Sequence, residues 1–217
     1  MKPFDVAIVT TSYFAPYRGC DDPLYRLKLF CDEIESVRQL STDGKRIIWA
    51  IFDDGSDYWP NKFEQMHIPV EIHSQLNNIG WARLLPIACT RGCELADWVI
   101  NMDSDGLIAQ DAIRRVFSLV QRYPRATGYG LFNTKYHHTK NIFDDHVIKQ
   151  SIPEHGIMFR AKDYDVVPRP DNFPLMARLP AEPEGYPVLR PSCIQHTGKM
   201  GINSTADDFD IEFSNVT

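Results

Sequence analysis

The sequence predicts an α/β protein whose central sheet is mostly parallel, is flanked by helices and continues into a smaller mixed C-terminal part. Apolar runs of strand length alternate with amphipathic helical segments over the first 120 residues, which is the order of βαβ units. These runs are almost continuously apolar, as expected of strands that helices cover on both faces. Polar residues follow three of the strands. Because open parallel sheets bind ligands beyond the carboxyl ends of their strands, this pattern also predicts where a site lies.

The elements of the first half follow from local signals. Strands are expected where β-branched and apolar residues run together, and helices where apolar residues recur at three- and four-residue spacing. Asp22-Pro23 marks a helix start, and Gly44 closes that helical region. The strands are expected at residues 5–12, 45–52, 70–73 and 96–103, and the helices at residues 24–34, 81–95 and 109–120.

The second half of the chain has a different character. Residues 128–134 and 156–161 are expected to form strands, with no clear helix between them. Seven of the 15 prolines lie within residues 168–191, and proline has no N–H group to donate in a sheet. This stretch is therefore predicted to be an irregular connection, which could serve as a lid, as an acceptor-binding wall or as a surface loop with no role.

Composition narrows the class of protein. A length of 217 residues fits one domain, and 43% hydrophobic with 24% charged residues is ordinary for a globular chain. A net charge of −6 gives no reason to expect strong nonspecific binding to nucleic acid, although a local basic groove stays open. No apolar run approaches the roughly 20 residues of a membrane span, and no secretion signal precedes the first strand. We expect a cytoplasmic protein, in the host cytoplasm if it is viral, with no membrane insertion.

The most informative passage is the strand that runs into Asp103-Ser104-Asp105. Side chains alternate along a strand, so Asp103 and Asp105 are expected to point the same way at its end. Two converging carboxylates suit a hard divalent cation, which prefers oxygen ligands. An Asp-rich turn without a ligand is the alternative that this passage alone leaves open.

Four short polar motifs follow one another along residues 5–120. They are Val9-Thr10-Thr11-Ser12-Tyr13, Phe52-Asp53-Asp54-Gly55-Ser56, Asn78-Ile79-Gly80-Trp81-Ala82-Arg83 and Asn101-Met102-Asp103-Ser104-Asp105. In this order and spacing they resemble motifs of the GT-A glycosyltransferases, especially the family 2-like group: the first strand end, the DDGS turn, the N-x-G-x-x-R segment and the DxD strand. Each motif alone is a weak indication of the family, but four motifs in the family's order and spacing are a specific one.

The resemblance implies the GT-A fold of nucleotide-diphospho-sugar transferases in a single domain over residues 1–217. Residues 1–120 would form the nucleotide-sugar-binding half, and residues 121–217 the acceptor half with the Pro-rich loop 168–191. The implied activity is metal-dependent transfer of one sugar from a nucleoside-diphosphate sugar, expected to be a UDP-sugar, to a hydroxyl acceptor. The chain has no Q-x-x-R-W motif of the processive polysaccharide synthases, which favours a hexosyltransferase-like, single-sugar reaction.

The resemblance also implies roles for individual residues. Asp103 and Asp105 would anchor Mn²⁺ or Mg²⁺, with one of them binding the ion and the other contacting the sugar or the ribose. Asp54 would accept a hydrogen bond from the base, commonly uracil, and Thr11 would line the base pocket. Arg83 would contact the diphosphate or the base-side wall; the alternative is a surface arginine of a helix.

The resemblance gives weaker support for roles at three further positions. Asn78 and Gly80 would belong to the nucleotide-sugar site, or would simply shape the turn. His196, at the end of a late strand, would be a third metal ligand through its neutral imidazole, with a hydrogen-bonded loop histidine as the alternative. Other histidines have no such support and are expected at the surface or on the acceptor side: His137, His138 and His155.

An inverting enzyme also needs a carboxylate base near the acceptor hydroxyl. Family 2 enzymes usually take it from an acidic motif between the strands that follow DxD and the late histidine, and this chain has no clean Glu-Asp pair there. Glu182 and Glu184 lie in that interval and are weak candidates, with Asp171 as a further one. A retaining mechanism is the alternative, so the catalytic residue and the stereochemical outcome stay open.

The acceptor stays open among a glycan, a protein, a small molecule and a hydroxymethylated DNA base. A DNA base would make the chain similar to phage-type DNA glycosyltransferases and would require a basic groove beside the site. Candidates for such a groove lie in the acceptor half: Arg160, Lys162, Arg169, Arg178 and Arg190.

Two other classes of protein compete with this interpretation. A sugar-nucleotide nucleotidyltransferase should carry a Gly-rich phosphate loop after its first strand, where this chain has Thr10-Thr11-Ser12-Tyr13. A non-catalytic nucleotide-sugar-binding module of the same fold would be expected to have lost the acidic pair, and both aspartates are present.

Overall fold

The structure, a computed structural model, describes residues 2–14, 23–57, 59–60, 62–166 and 175–197. The α-helices are α1 (Pro23–Arg38), α2 (Trp81–Leu95) and α3 (Ala112–Arg122). The strands are β1 (Phe4–Ser12), β2 (Ile47–Asp53), β3 (Val70–Ser74), β4 (Ala96–Asp103), β5 (Gly106–Ile108), β6 (Gly128–Gly130), β7 (Thr139–Ile142), β8 (His146–Lys149), β9 (Ile157–Arg160), β10 (Tyr186–Leu189) and β11 (Ile194–His196). Short 3₁₀ helices form at Ala161–Asp163 and Leu175–Arg178.

Nine of the strands form one sheet in the order β3-β2-β1-β4-β9-β6-β10-β8-β7, and β11 pairs with β5 in a small second sheet. Strands β3, β2, β1 and β4 are parallel to one another, so their carboxyl ends meet at the same edge. Strand β9 is antiparallel to β4 and to β6, and from there the sheet is mixed. The predicted fold class, a mostly parallel sheet with a mixed C-terminal part, is confirmed.

Helices cover both faces of the parallel strands because successive side chains of a strand point to opposite faces. Val6 and Ile8 of β1 pack in one apolar cluster with α1 and α3, whereas Ala7 and Val9 pack in a second cluster with α2. All four side chains are fully buried. This packing fixes the strand ends that carry the polar motifs. None of the described helices combines the length and apolarity that a bilayer span requires.

The Pro-rich stretch is more regular than its composition predicts. Strand β10 lies inside it and pairs with β6 on one side and with β8 on the other. Pro187 lies opposite Ile148 within this strand, and the pairing continues from Tyr186 to Leu189. A single proline removes one backbone donor and leaves the neighbouring pairs of the ladder available. The expectation of an irregular connection is therefore wrong for these four residues, while residues 167–174 lie outside the described ranges.

Candidate functional site

The candidate site is a crevice at the carboxyl ends of β1, β2 and β4. Its cavity has a volume of about 660 Å³, within the range of roughly 300–1,000 Å³ that is typical of small-molecule sites. The strand ends contribute Thr11, Asp54, Asp103 and Asp105 to its lining. Residues from the second half of the chain complete it, among them Phe132, Thr134, Tyr136, Glu154 and His155.

Three potential metal ligands converge in this crevice. Ligand atoms of Asp103, Asp105 and His196 lie within 4.8 Å of one another, and Asp105 Oδ1 is 3.1 Å from His196 Nε2. Asp103 is the last residue of β4, and the pairing of β11 with β5 places His196 opposite Gly106. The backbone N–H and the hydroxyl of Thr197 both donate to the Asp105 carbonyl oxygen, at 2.9 and 2.7 Å. The fold thus brings a pair of aspartates together with a histidine that lies about 90 residues later in the sequence.

The charges in this cluster suit a bound cation. Burial and the negative charge of Asp105 raise the pKa of Asp103 to about 7. Burial also opposes ionisation of Asp105, but a hydrogen bond and the charge of His196 outweigh it and lower the pKa of that carboxyl. A dication would relieve the repulsion between the two acids, and two carboxylates with one imidazole are a donor set that Mn²⁺ or Mg²⁺ accepts. The residues present therefore fit a divalent metal.

His155 lies in the crevice, not at the surface. Its side chain is buried, and its Nδ1 accepts a hydrogen bond from the backbone N–H of Asp103 at 3.0 Å. Since Nδ1 accepts, the ring proton resides on Nε2, and burial lowers the pKa of His155 to about 3, so the ring is neutral. Gly106 makes room for the ring, because a Cβ there would lie 2.8 Å from His155 Cε1. The ring thus supports the backbone that presents Asp103.

Asp54 holds together the two segments on the donor side of the crevice. Its two carboxylate oxygens accept hydrogen bonds from the backbone N–H groups of Ile79 and Gly80, at 2.7 and 2.9 Å. Gly80 immediately precedes α2, so these bonds satisfy backbone donors at the start of that helix. Thr11, Asp54, Asn78 and Gly80 all line the cavity. The structure therefore brings these four predicted residues to one site, with both Asp54 oxygens already engaged by backbone.

An arginine of α1, and not the arginine of the N-x-G-x-x-R segment, lines the cavity. Arg83 is exposed and is not among the described lining residues. Arg26 does line the cavity, where its guanidinium Nη1 lies 3.5 Å from the carbonyl oxygen of Tyr13. Its positive charge also acts on Asp105. No sequence signal distinguishes Arg26 from other basic residues of an amphipathic helix, which is why motif reasoning did not select it.

The acidic candidates for a base do not reach the cavity. Glu182 accepts a hydrogen bond from the backbone N–H of Thr127, which precedes β6, whereas the cavity-lining Phe132 follows β6. Glu182 therefore lies toward the other end of that strand. Glu184 is exposed, and neither glutamate lines the cavity. Asp171 lies outside the described residues.

Glu154 is the acidic residue of the second half that does line the cavity. Its backbone carbonyl accepts a hydrogen bond from Asn101 Nδ2 of β4 at 2.9 Å. Its carboxylate Oε1 accepts from the backbone N–H of Leu175, the first residue of a 3₁₀ helix. Burial raises the pKa of the Glu154 carboxyl above its ordinary value. Its negative charge also contributes to the raised pKa of Asp103.

None of the described basic residues that could form a nucleic-acid groove lines the cavity. The guanidinium of Arg160 lies 5.0 Å from the ring centre of Trp98, and buried Arg178 donates to the carbonyl oxygen of Asp165 at 3.0 Å. Arg169 lies outside the described residues. The described candidates are absent from the cavity lining: Arg160, Lys162, Arg178 and Arg190.

The sheet is mixed, with parallel strands in the order β3-β2-β1-β4 and an acidic pair at the end of β4. This is the class of fold found in the GT-A glycosyltransferases. The crystal structure of S. aureus TarS 1-349 is similar to this chain with a TM-score of 0.53 and 10% identity, over 72% of this chain and 47% of that chain. TarS 1-349 in complex with UDP-GlcNAc and in complex with UDP each give a TM-score of 0.52 and 10% identity over 72% of this chain, and 45% and 47% of those chains. This chain therefore spans about half the length of the TarS chains. No family model and no curated protein matches the sequence.

Proposed function

We propose that the chain is a metal-dependent glycosyltransferase that transfers one sugar from a nucleoside-diphosphate sugar, with UDP as the nucleotide, to a hydroxyl acceptor. The convergence of Asp103, Asp105 and His196 in a cavity at the strand ends carries this proposal. These three residues would hold Mn²⁺ or Mg²⁺. When bound, such an ion supplies Lewis-acid stabilisation of the departing nucleoside diphosphate.

Other lining residues support donor binding beside the acidic cluster. Thr11, Asn78 and Gly80 offer hydroxyl, amide and backbone groups to a base or ribose. Arg26 offers a planar fork of donors that suits diphosphate oxygens. The TarS structures with UDP-GlcNAc and UDP make uridine nucleotides the first to test.

The acceptor side favours a neutral, hydroxylated acceptor such as a glycan. Tyr136, in the second half of the chain, lines the cavity with 56% of its surface exposed, and such a ring offers a flat apolar face to a ligand that also carries polar groups. Among the described lining residues Arg26 is the only arginine or lysine. A hydroxymethylated base in DNA is less favoured, because its phosphates would need several cations beside the site.

Calorimetry with UDP-glucose, UDP-galactose, UDP-GlcNAc and GDP-mannose, each with and without manganese chloride, tests the proposal. We expect one of the UDP-sugars to bind in the presence of Mn²⁺ and to bind far more weakly without it, and we expect no binding of GDP-mannose. The absence of metal-dependent binding by every donor would overturn the proposal. Pyrophosphate release from UTP and a sugar 1-phosphate would instead indicate a nucleotidyltransferase, and donor binding without turnover would indicate a non-catalytic module.

A further inference from the structure

We infer that Glu154 is the general base of the proposed glycosyltransferase reaction, an assignment that rests on that function, and that the transfer inverts the anomeric configuration. Glu154 would take the proton of the attacking hydroxyl group.

The other carboxylates of the described cavity lining belong to the donor side of the crevice. Four acids line the cavity, namely Asp54, Asp103, Asp105 and Glu154. Both oxygens of Asp54 accept backbone hydrogen bonds at the start of α2. Asp103 and Asp105 belong to the cluster with His196. Among these four acids, Glu154 is the one without a donor-side role, and it can therefore act on the acceptor.

The position of Glu154 is fixed relative to the acidic pair by β4 itself. Asn101, two residues before Asp103, is fully buried and donates from Nδ2 to the Glu154 carbonyl oxygen at 2.9 Å. The Asn101 carbonyl oxygen accepts from the backbone N–H of Gly156 at 2.8 Å. Between these bonds lies His155, whose Nδ1 accepts from the backbone N–H of Asp103 at 3.0 Å. Three hydrogen bonds thus tie the segment that carries Glu154 to the strand that carries Asp103.

Glu154 lines the cavity, and backbone N–H groups at the start of the 3₁₀ helix, those of Leu175 and Met176, bind its carboxyl group. Its Oε1 accepts from the backbone N–H of Leu175, which orients the group without neutralising it. Burial of this carboxyl raises its affinity for a proton above that of a solvated glutamate. A positioned base of this kind accelerates proton removal in general acid–base catalysis.

The chemical step balances without any additional reactant. The acceptor oxygen forms a bond to the anomeric carbon as the bond from that carbon to the diphosphate oxygen breaks. The electron pair of the broken bond leaves with the nucleoside diphosphate, and the hydroxyl proton passes to Glu154. A single displacement in which the activated hydroxyl attacks the face opposite the leaving group inverts the anomeric carbon. Water can take the place of the acceptor in the same step.

Donor hydrolysis by the purified chain therefore tests the inference without knowledge of the natural acceptor. UDP-glucose, UDP-galactose, UDP-GlcNAc and GDP-mannose with manganese chloride serve as substrates, release of nucleoside diphosphate gives the rate, and proton NMR gives the anomer that forms first. The variant is Glu154→Gln, whose amide oxygen can still accept from Leu175. Glu182→Gln is the matched control, since Glu182 also accepts a backbone N–H but lies away from the cavity.

For the donor that binds, we expect Glu154→Gln to slow hydrolysis by about 100-fold or more, with donor affinity within about twofold of the wild type. Glu182→Gln should hydrolyse at the wild-type rate, and the α-linked donor should first give the β-sugar. His137 also lines the cavity and is the rival base. Wild-type hydrolysis by Glu154→Gln, a loss in His137→Gln instead, first formation of the α-sugar, or donor binding without any wild-type hydrolysis would each overturn the inference. If no donor binds at all, the proposed function fails first, so the two failures are distinguishable.

Discussion

The donor and acceptor sides of the crevice are built by different means. On the donor side, Asp54 follows β2 and Asp103 ends β4, and both of these strands are parallel to β1, which lies between them, so strand order alone brings the two acids to one edge. On the acceptor side, Glu154 is placed by single contacts such as the bond from Asn101, 53 residues earlier in the chain. Strand topology therefore positions the donor-side acids, whereas the position of Glu154 depends on individual tertiary hydrogen bonds.

The largest effect is expected from removing a donor-side carboxylate. Asp105→Ala takes one ligand from the three-residue cluster and leaves developing phosphate charge without its cation. We expect donor hydrolysis to fall by about a thousandfold, equivalent to several kcal/mol of lost stabilisation. Asp97→Ala is the control, because Asp97 is an exposed residue near the opposite end of β4. Activity of Asp105→Ala close to that of the control would separate the acidic pair from the chemistry.

A disruption is also expected where the two sides meet, at Gly106. The added Cβ of Gly106→Ala would lie 2.8 Å from His155 Cε1 and from Met102 Cγ, which forces the ring or the turn to move. We expect a loss of about 1–3 kcal/mol in the free energy of unfolding in urea, together with weaker Mn²⁺ binding. The double variant Gly106→Ala/His155→Ala should recover part of the stability lost on adding the Cβ. Unchanged stability in the single variant would show that the ring does not need this space.

Variants of Arg26 and Arg83 test which of the two arginines contacts the donor diphosphate. Arg26→Ala removes a cavity-lining guanidinium, and we expect the KM for the donor to rise by about tenfold, as for the loss of a hydrogen bond to a charged group. Arg83→Ala should change this KM by less than about twofold, since Arg83 does not line the cavity. Steady-state kinetics on the two variants measures the contrast. A larger rise in KM for Arg83→Ala than for Arg26→Ala would show that the N-x-G-x-x-R segment makes the diphosphate contact.

Metal binding should depend on pH through Asp103. Because the pKa of Asp103 is raised to about 7, this carboxyl holds a proton below pH 7 in the metal-free protein and must release it to bind an ion. The apparent Kd for Mn²⁺ is therefore expected to rise as pH falls below 7, by up to about tenfold per pH unit, and to level off above 7. Calorimetric titration with manganese chloride from pH 5.5 to 8 gives the profile. A flat profile would place the ion away from Asp103.

The sequence predicts the donor side well because its signals are local. The predicted strands at 5–12, 45–52 and 96–103 agree with β1, β2 and β4 to within two residues at each end. Three of the four polar motifs span the carboxyl end of one of these strands, so finding the strand locates the motif. Helix α1 (Pro23–Arg38) lies within the predicted helical region, which starts at Asp22-Pro23 and closes at Gly44.

The acceptor side is less predictable because its signals are not local. Strands β7 and β8 have four residues each, too few for a periodic pattern to be distinguished. The selection of Glu182 and Glu184 relied on their interval in the chain, whereas Glu154 reaches the cavity through its bonds to Asn101 and Leu175. A polar residue whose position depends on such distant partners carries no signature in a single sequence.

The most direct measurement is the position of Mn²⁺ in crystals grown with manganese chloride and UDP. Anomalous scattering locates the ion independently of the protein coordinates. We expect one strong peak at bonding distance from the carboxylates of Asp103 or Asp105 and from His196 Nε2, with the diphosphate on its open side. Bound UDP with the ion absent from this cluster, or an ion held by other residues, would contradict the assignment of the acidic pair as the metal site.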